Sequence, residues 1–83
     1  MAASREDIRR WFIDGKTQGA THMIVVCDTF DHEDYPVYVK PGEDVRKKTL
    51  ECSEAEFSWV MEVYSLNQDM ESQLNERRAF HFD

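Results

Sequence analysis

The stretch Met23-Ile-Val-Val-Cys27 does most to limit what this chain can fold into. It is continuous, apolar, mostly β-branched and of strand length. No polar residue interrupts it, so it predicts a central strand with both faces covered. It is also the longest apolar run in the chain, far short of the ~20 residues a membrane helix needs. The whole chain has 83 residues, enough for one small domain that buries about 60% of its unfolded surface.

The flanking sequence supplies covering layers. Ser4 can cap a helix with Glu6 and Asp7 in its first turn, where negative charge suits the helix dipole. Ile8, Trp11 and Phe12 then fall at i, i+3 and i+4, on one face. Gly15 or Gly19 ends this helix, Gly19 being the better C′ residue because Lys16 then lies in the last turn. After the central strand, the acidic segment Asp28 to Asp34 reads as a turn and Tyr35-Pro-Val-Tyr-Val39 as a second strand. Pro36 suits an edge strand or a strand entry. The two strands, about residues 21–28 and 35–40, predict a hairpin with a loop of about five residues.

Pro41-Gly42 is a break, after which residues 43–50 read as a short helix or an irregular segment, with a third strand around 49–52 as the other option. Ser53-Glu-Ala-Glu56 has the form of a capping box, and Phe57, Val60, Met61 and Tyr64 follow at i, i+3, i+4 and i+7. That spacing predicts a helix. Met70 and Leu74, with Arg77 and Arg78 behind them, predict its continuation or a further helix over 67–79. The aromatic tail Phe80-His-Phe82 is expected to fold back on the core. The fold class is therefore α+β, a small antiparallel sheet covered by an N-terminal helix and one or two C-terminal helices. Two strands make a meagre sheet. A third is expected within 45–52 or 80–83, or else the sheet edge pairs with a second copy in a homodimer.

Charge removes several function classes. Lys plus Arg number 10 against 17 Asp plus Glu, a net charge of −7, which argues against nucleic acid and anionic lipid as partners. The opening MAASREDIRR lacks the apolar core of a secretory signal, and two cysteines make no disulfide framework, so a reducing cytoplasm is expected. Cys27, Cys52, His22, His32 and His81 form no C-x-x-C or H-x-x-x-H pattern, so neither a metal site nor a cofactor is expected. His22 and Cys27 are five apart, on opposite faces of an extended strand. With three glycines and no phosphate loop or nucleophile elbow, the chain reads as a non-enzyme.

Two surfaces remain as candidate sites. The acidic segment carries Asp28, Asp31, Glu33 and Asp34, with Tyr35 beside them. Such a run is a solvated loop, a contact for a basic partner, or a site for a hard cation, although its spacing is not that of an EF-hand. Trp59, about 200° around a helix from Phe57, is either an exposed contact anchor or packed under the last segment. The basic pairs Arg9–Arg10 and Lys47–Lys48 could hold a ligand phosphate, with Trp or Tyr stacking on a base.

Residues 19–44, GATHMIVVCDTFDHEDYPVYVKPGED, resemble a signature of short uncharacterised proteins of phage and prophage genomes. VMEVYSLNQDMESQLNERRAFHF resembles the C-terminal part of the same group. The resemblance implies a phage accessory protein acting in the bacterial cytoplasm. By analogy with small acidic phage inhibitors, it implies binding and blocking of a host protein or complex with a basic surface, as an anti-CRISPR or similar counter-defence factor does. A second expectation is an oligomeric sponge for a nucleotide signal. A metal-dependent enzyme using Asp28, Asp31 and Asp34, or a virion component, comes after these.

Overall fold

The computed structural model describes residues 3–83. The order is α1 (Arg5–Thr17), β1 (His22–Asp28), β2 (Glu33–Val39), α2 (Val45–Glu54), β3 (Ser58–Ser65) and α3 (Met70–Leu74). The three strands form one antiparallel sheet in the order β2-β1-β3, so the class is α+β with β1 at the centre. Among the described residues no helix is long and apolar enough to cross a membrane.

α1 starts as its sequence dictates. The Ser4 hydroxyl accepts from the Asp7 amide at 3.2 Å, and the Asp7 carboxylate accepts from the Ser4 amide at 3.2 Å. The helix ends with Gln18 at the C-cap and Gly19 at φ +80°, a conformation that suits glycine. Gly15 lies inside the helix and does not end it. A Cβ there would sit 2.7 Å from both Leu66 and Tyr38, so Gly15 lets the helix press against the sheet.

β1 is covered on both faces, as its apolar run requires. On one side Met23 and Val25 pack with Ile8, Phe12, Tyr64 and Leu66 beneath α1. On the other, Ile24 and Val26 pack with Val39 and Val63, and with half-buried Val45, Cys52 and Phe82. α2 makes residues 45–52 helix and rules out a third strand there. Asp44 caps it, accepting from the amides of Arg46 at 3.0 Å and Lys47 at 3.3 Å.

The third strand is the main correction. Residues 57–64 do not form the helix that their spacing predicts, and β3 occupies Ser58–Ser65. The register explains the false signal. Val26 faces Val60 and Val25 faces Glu62, so Met61 is an extra residue in a bulge opposite Val25/Val26. The bulge shifts the two-residue alternation by one. Val60 and Val63 consequently enter one core, while Met61 and Tyr64 enter the other. Three-residue spacings result in a strand. Ser53 caps nothing at that point, since its hydroxyl donates to the Leu50 carbonyl at 2.8 Å near the end of α2.

The outer edge of β3 is closed within the chain. The tail makes a parallel bridge through Phe80 to Val63, with backbone bonds at 2.9 Å from Val63 to Ala79 and from His81 to Val63. The buried Gln73 amide pairs with both backbone groups of Ser65, at 2.8 and 2.9 Å. Of residues 67–79 only Met70–Leu74 are helical, so Arg77 and Arg78 do not end a helix. The β2 edge has no neighbouring strand in the sheet, and Pro36 sits in its middle.

Candidate functional site

One end of the sheet gathers the last residue of β1 and the first residues of β2 and β3. Among the described residues, four of the seven exposed large hydrophobic side chains lie there: Phe30 (72% exposed), Phe57 (55%), Trp59 (57%) and Tyr35 (41%). Phe30 and Phe57 stack edge to face, ring centroids 5.6 Å apart. The Thr29 amide donates to the Phe57 carbonyl at 2.8 Å, tying the hairpin loop to the start of β3.

Two residues at this end hold a positive φ without being glycine, His32 at 59° and Phe57 at 61°. Each such conformation costs about 1–2 kcal/mol, and it is least expected for a bulky side chain. The loop also spends a carboxylate on its own geometry. Asp28 Oδ1 accepts from the amides of Phe30 at 2.8 Å and Asp31 at 3.3 Å.

The acidic candidates therefore divide. Asp28 builds the loop, and Asp34, half-buried, accepts from the Ala3 amide at 2.8 Å. Asp31 and Glu33 are exposed, as is Glu56 beside Phe57. Among the described residues no group of three or more His, Cys, Asp or Glu could hold a metal ion. Trp59 faces Cys27 in the register, and Cys27 faces Asp34, so these three share the sheet face beneath α1. Tyr35 faces Val26 and lies on the opposite face. Trp59 is thus exposed, not packed under the last segment. Tyr35 and Trp59 flank the same end from either side.

The basic candidates do not converge. Arg9, on α1, makes two bonds of 3.0 Å to Glu71 of α3 and a third to Glu6, and Arg10 pairs with Asp7 at 3.2 Å within α1. Glu71 is held below the ordinary carboxylate range by that hydrogen-bonded Arg9. Lys47 and Lys48 lie on α2, across the sheet. They line a shallow hollow together with Glu43, Asp44 and Glu51, where carboxylates outnumber cations. Lys48 is already paired to Glu43 at 3.0 Å.

Neither thiol is activated. Burial pushes the Cys27 thiol up, with Asp34 adding to the effect, and burial pushes Cys52 up as well. His22 is buried, its ring nitrogens 2.9 Å from Thr21 Oγ1 and 2.9 Å from the Asp83 main-chain oxygen, so it serves to hold the tail.

Sequence reasoning missed Phe30 and Phe57. The helical spacing places Phe57 on the apolar face of a helix that does not form. Phe30 lies within a polar loop, and an aromatic among four carboxylates is the signal that could find it. Comparison with family models, with curated proteins and with solved structures gives no match to this chain.

Proposed function

We propose that this chain is a non-enzymatic binding module that docks the hairpin end of its sheet onto a basic protein surface and blocks it. The observation that carries this reading is the exposed aromatic group Phe30, Phe57, Trp59 and Tyr35, with Asp31, Glu33 and Glu56 around it. Exposed rings add little to the stability of a small domain, and the two left-handed residues that shape this end reduce it. Aromatic anchors inside a polar, charged rim are the usual anatomy of a protein contact. The negative rim on a chain of net charge −7 selects a positive partner and steers its approach.

The resemblance to small phage proteins supplies the biological frame: a bacterial cytoplasm, and a host defence protein or complex as the target. The test is capture from host lysate with the wild-type chain and with two variants, Phe30→Ala/Phe57→Ala and Asp31→Lys/Glu33→Lys. A stoichiometric partner should bind wild type, leave as salt rises, and be lost by both variants. A partner retained equally by both variants would refute docking through this end.

A further inference from the structure

A second site lies where α1, the β3 bulge and the segment after α3 meet. A cleft of about 240 Å³ is lined by Arg5, Arg77 and Arg78 around a floor of Ile8, Val25 and Met61, with Asp34 and Glu62 also at its wall. Three guanidinium groups converge here in a chain whose net charge is −7.

Both carboxylates of the cleft already hold partners within the fold. Glu62, buried, accepts from Tyr64 Oη at 2.6 Å, from Arg5 at 3.2 Å and from the Ala79 amide at 3.0 Å. Asp34 accepts from the Ala3 amide. The cations are not satisfied to the same degree. Arg77 has no hydrogen-bond or ion-pair partner among the described residues. Arg78 reaches the Met61 and Val60 carbonyls only at 3.3–3.4 Å and lies 5.1 Å from the Phe80 ring centre. Arg5 is anchored by Glu62 and Tyr64 and leaves nearly half of its side chain in solvent.

The floor is placed by the same bulge that disguised β3. Inserting Met61 turns its side chain into the α1 face, next to Val25 and Ile8. Bulges commonly re-aim a side chain beside a functional site. Trp59 stands exposed farther along the same sheet face.

From this geometry we infer a binding site for a small organic anion, one phosphate or carboxylate group on a compact apolar body. The anionic group lies on Arg77 and Arg78, and the apolar body lies on Met61 and Val25. Planar guanidinium groups suit both head groups, since each can accept paired hydrogen bonds. The site uses none of the residues of the proposed docking end, so the two proposals stand or fall separately.

The test is an NMR titration of the intact chain with phenyl phosphate, benzoate and inorganic phosphate. It follows the arginine Nε–Hε signals and the Met61 methyl. Arg77 and Met61 should shift together and saturate with at least one of the two aromatic anions. That anion should bind about tenfold more tightly than inorganic phosphate, because only it covers the apolar floor. The tighter of the two names the head group. Arg77→Ala should weaken binding about tenfold or more, Arg77→Lys should recover part of it, and Lys47→Ala on the far face should change nothing. Shifts that never saturate, that follow Lys47 as strongly as Arg77, or that survive Arg77→Ala unchanged would overturn the site.

Discussion

Gly15→Ala sets two effects of known size against each other. Alanine in a helix interior is favoured over glycine by about 1 kcal/mol, so on propensity alone the variant should be more stable. The structure opposes this. The new methyl would lie 2.7 Å from Leu66 Cδ1 and 2.7 Å from Tyr38 Cε1. Leu66 is 1% exposed and has no room to withdraw. Tyr38 is pinned, because its hydroxyl donates to the Trp11 carbonyl at 2.8 Å. Overpacking of this kind costs about 1–3 kcal/mol. The net expectation is a loss of up to about 2 kcal/mol, centred near 1, which lowers Tm by about 4–8 °C in a domain of this size. Urea unfolding followed by tryptophan fluorescence would measure it. Repeating the substitution in a Leu66→Ala background removes one of the two obstacles, so the second measurement should show a coupling of about 1 kcal/mol. If Gly15→Ala alone stabilises the domain by about 1 kcal/mol, the close approach of α1 to the sheet is wrong.

Further outcomes follow from the same contacts. Gly19→Ala meets no atom within 4 Å but must hold φ near +80°, so it should cost about 1–2 kcal/mol from backbone alone, read from the same urea curve. Glu62→Ala strips the acceptor from the buried Ala79 amide and from the Tyr64 hydroxyl, and should cost about 3 kcal/mol, with Glu62→Gln milder. Asp7, held low chiefly by the Ser4 amide, Glu43, held low chiefly by the Lys40 amide, and Glu71, held low by Arg9, all ionise more readily folded than unfolded. Their stabilisation is present above the ordinary carboxylate range and lost as pH falls below about 4.5, so Tm should drop there. Glu71→Gln should flatten that slope. The half-buried thiols have the opposite sign: iodoacetamide at pH 8 should alkylate Cys27 and Cys52 more slowly in the folded chain than in urea.

The parts of the fold that were legible in sequence are those where a local rule had no competitor. Ser4 with Asp7 and Gly19 after Thr17 are cap chemistry acting within a few residues, whereas the segment that Asp44 caps stays open in sequence between helix and strand. The run from Met23 to Cys27 had to be covered on both sides, and it is. β3 was illegible because one inserted residue, Met61, turned a two-residue period into apparent helical spacing. Arg77 and Arg78 were read as the end of a helix, whereas α3 stops at Leu74 and frees them to reach the sheet. Of the six residues first assigned to partner contact, Asp31, Glu33, Tyr35 and Trp59 are exposed, while Asp28 and Asp34 are engaged in holding the fold. That division depends on which backbone amide each carboxylate meets, and the spacing of the acids carries no trace of it.

The central position of β1 also bears on how this chain can go wrong. Met23 to Cys27 is uncharged, β-branched and free of proline, the composition most prone to stack into fibrils. It is flanked by a strand on each side and roofed by a core on each face. The lateral rims are also poor templates for another strand, one interrupted by Pro36 and the other occupied by the tail and Gln73. Loss of the tail leaves β3 over the segment, whereas loss of β2, an edge strand, bares one side of β1. Aggregation through β1 therefore requires the loss of a flanking strand, and its rate should rise in variants that weaken β2, including those that leave β1 untouched.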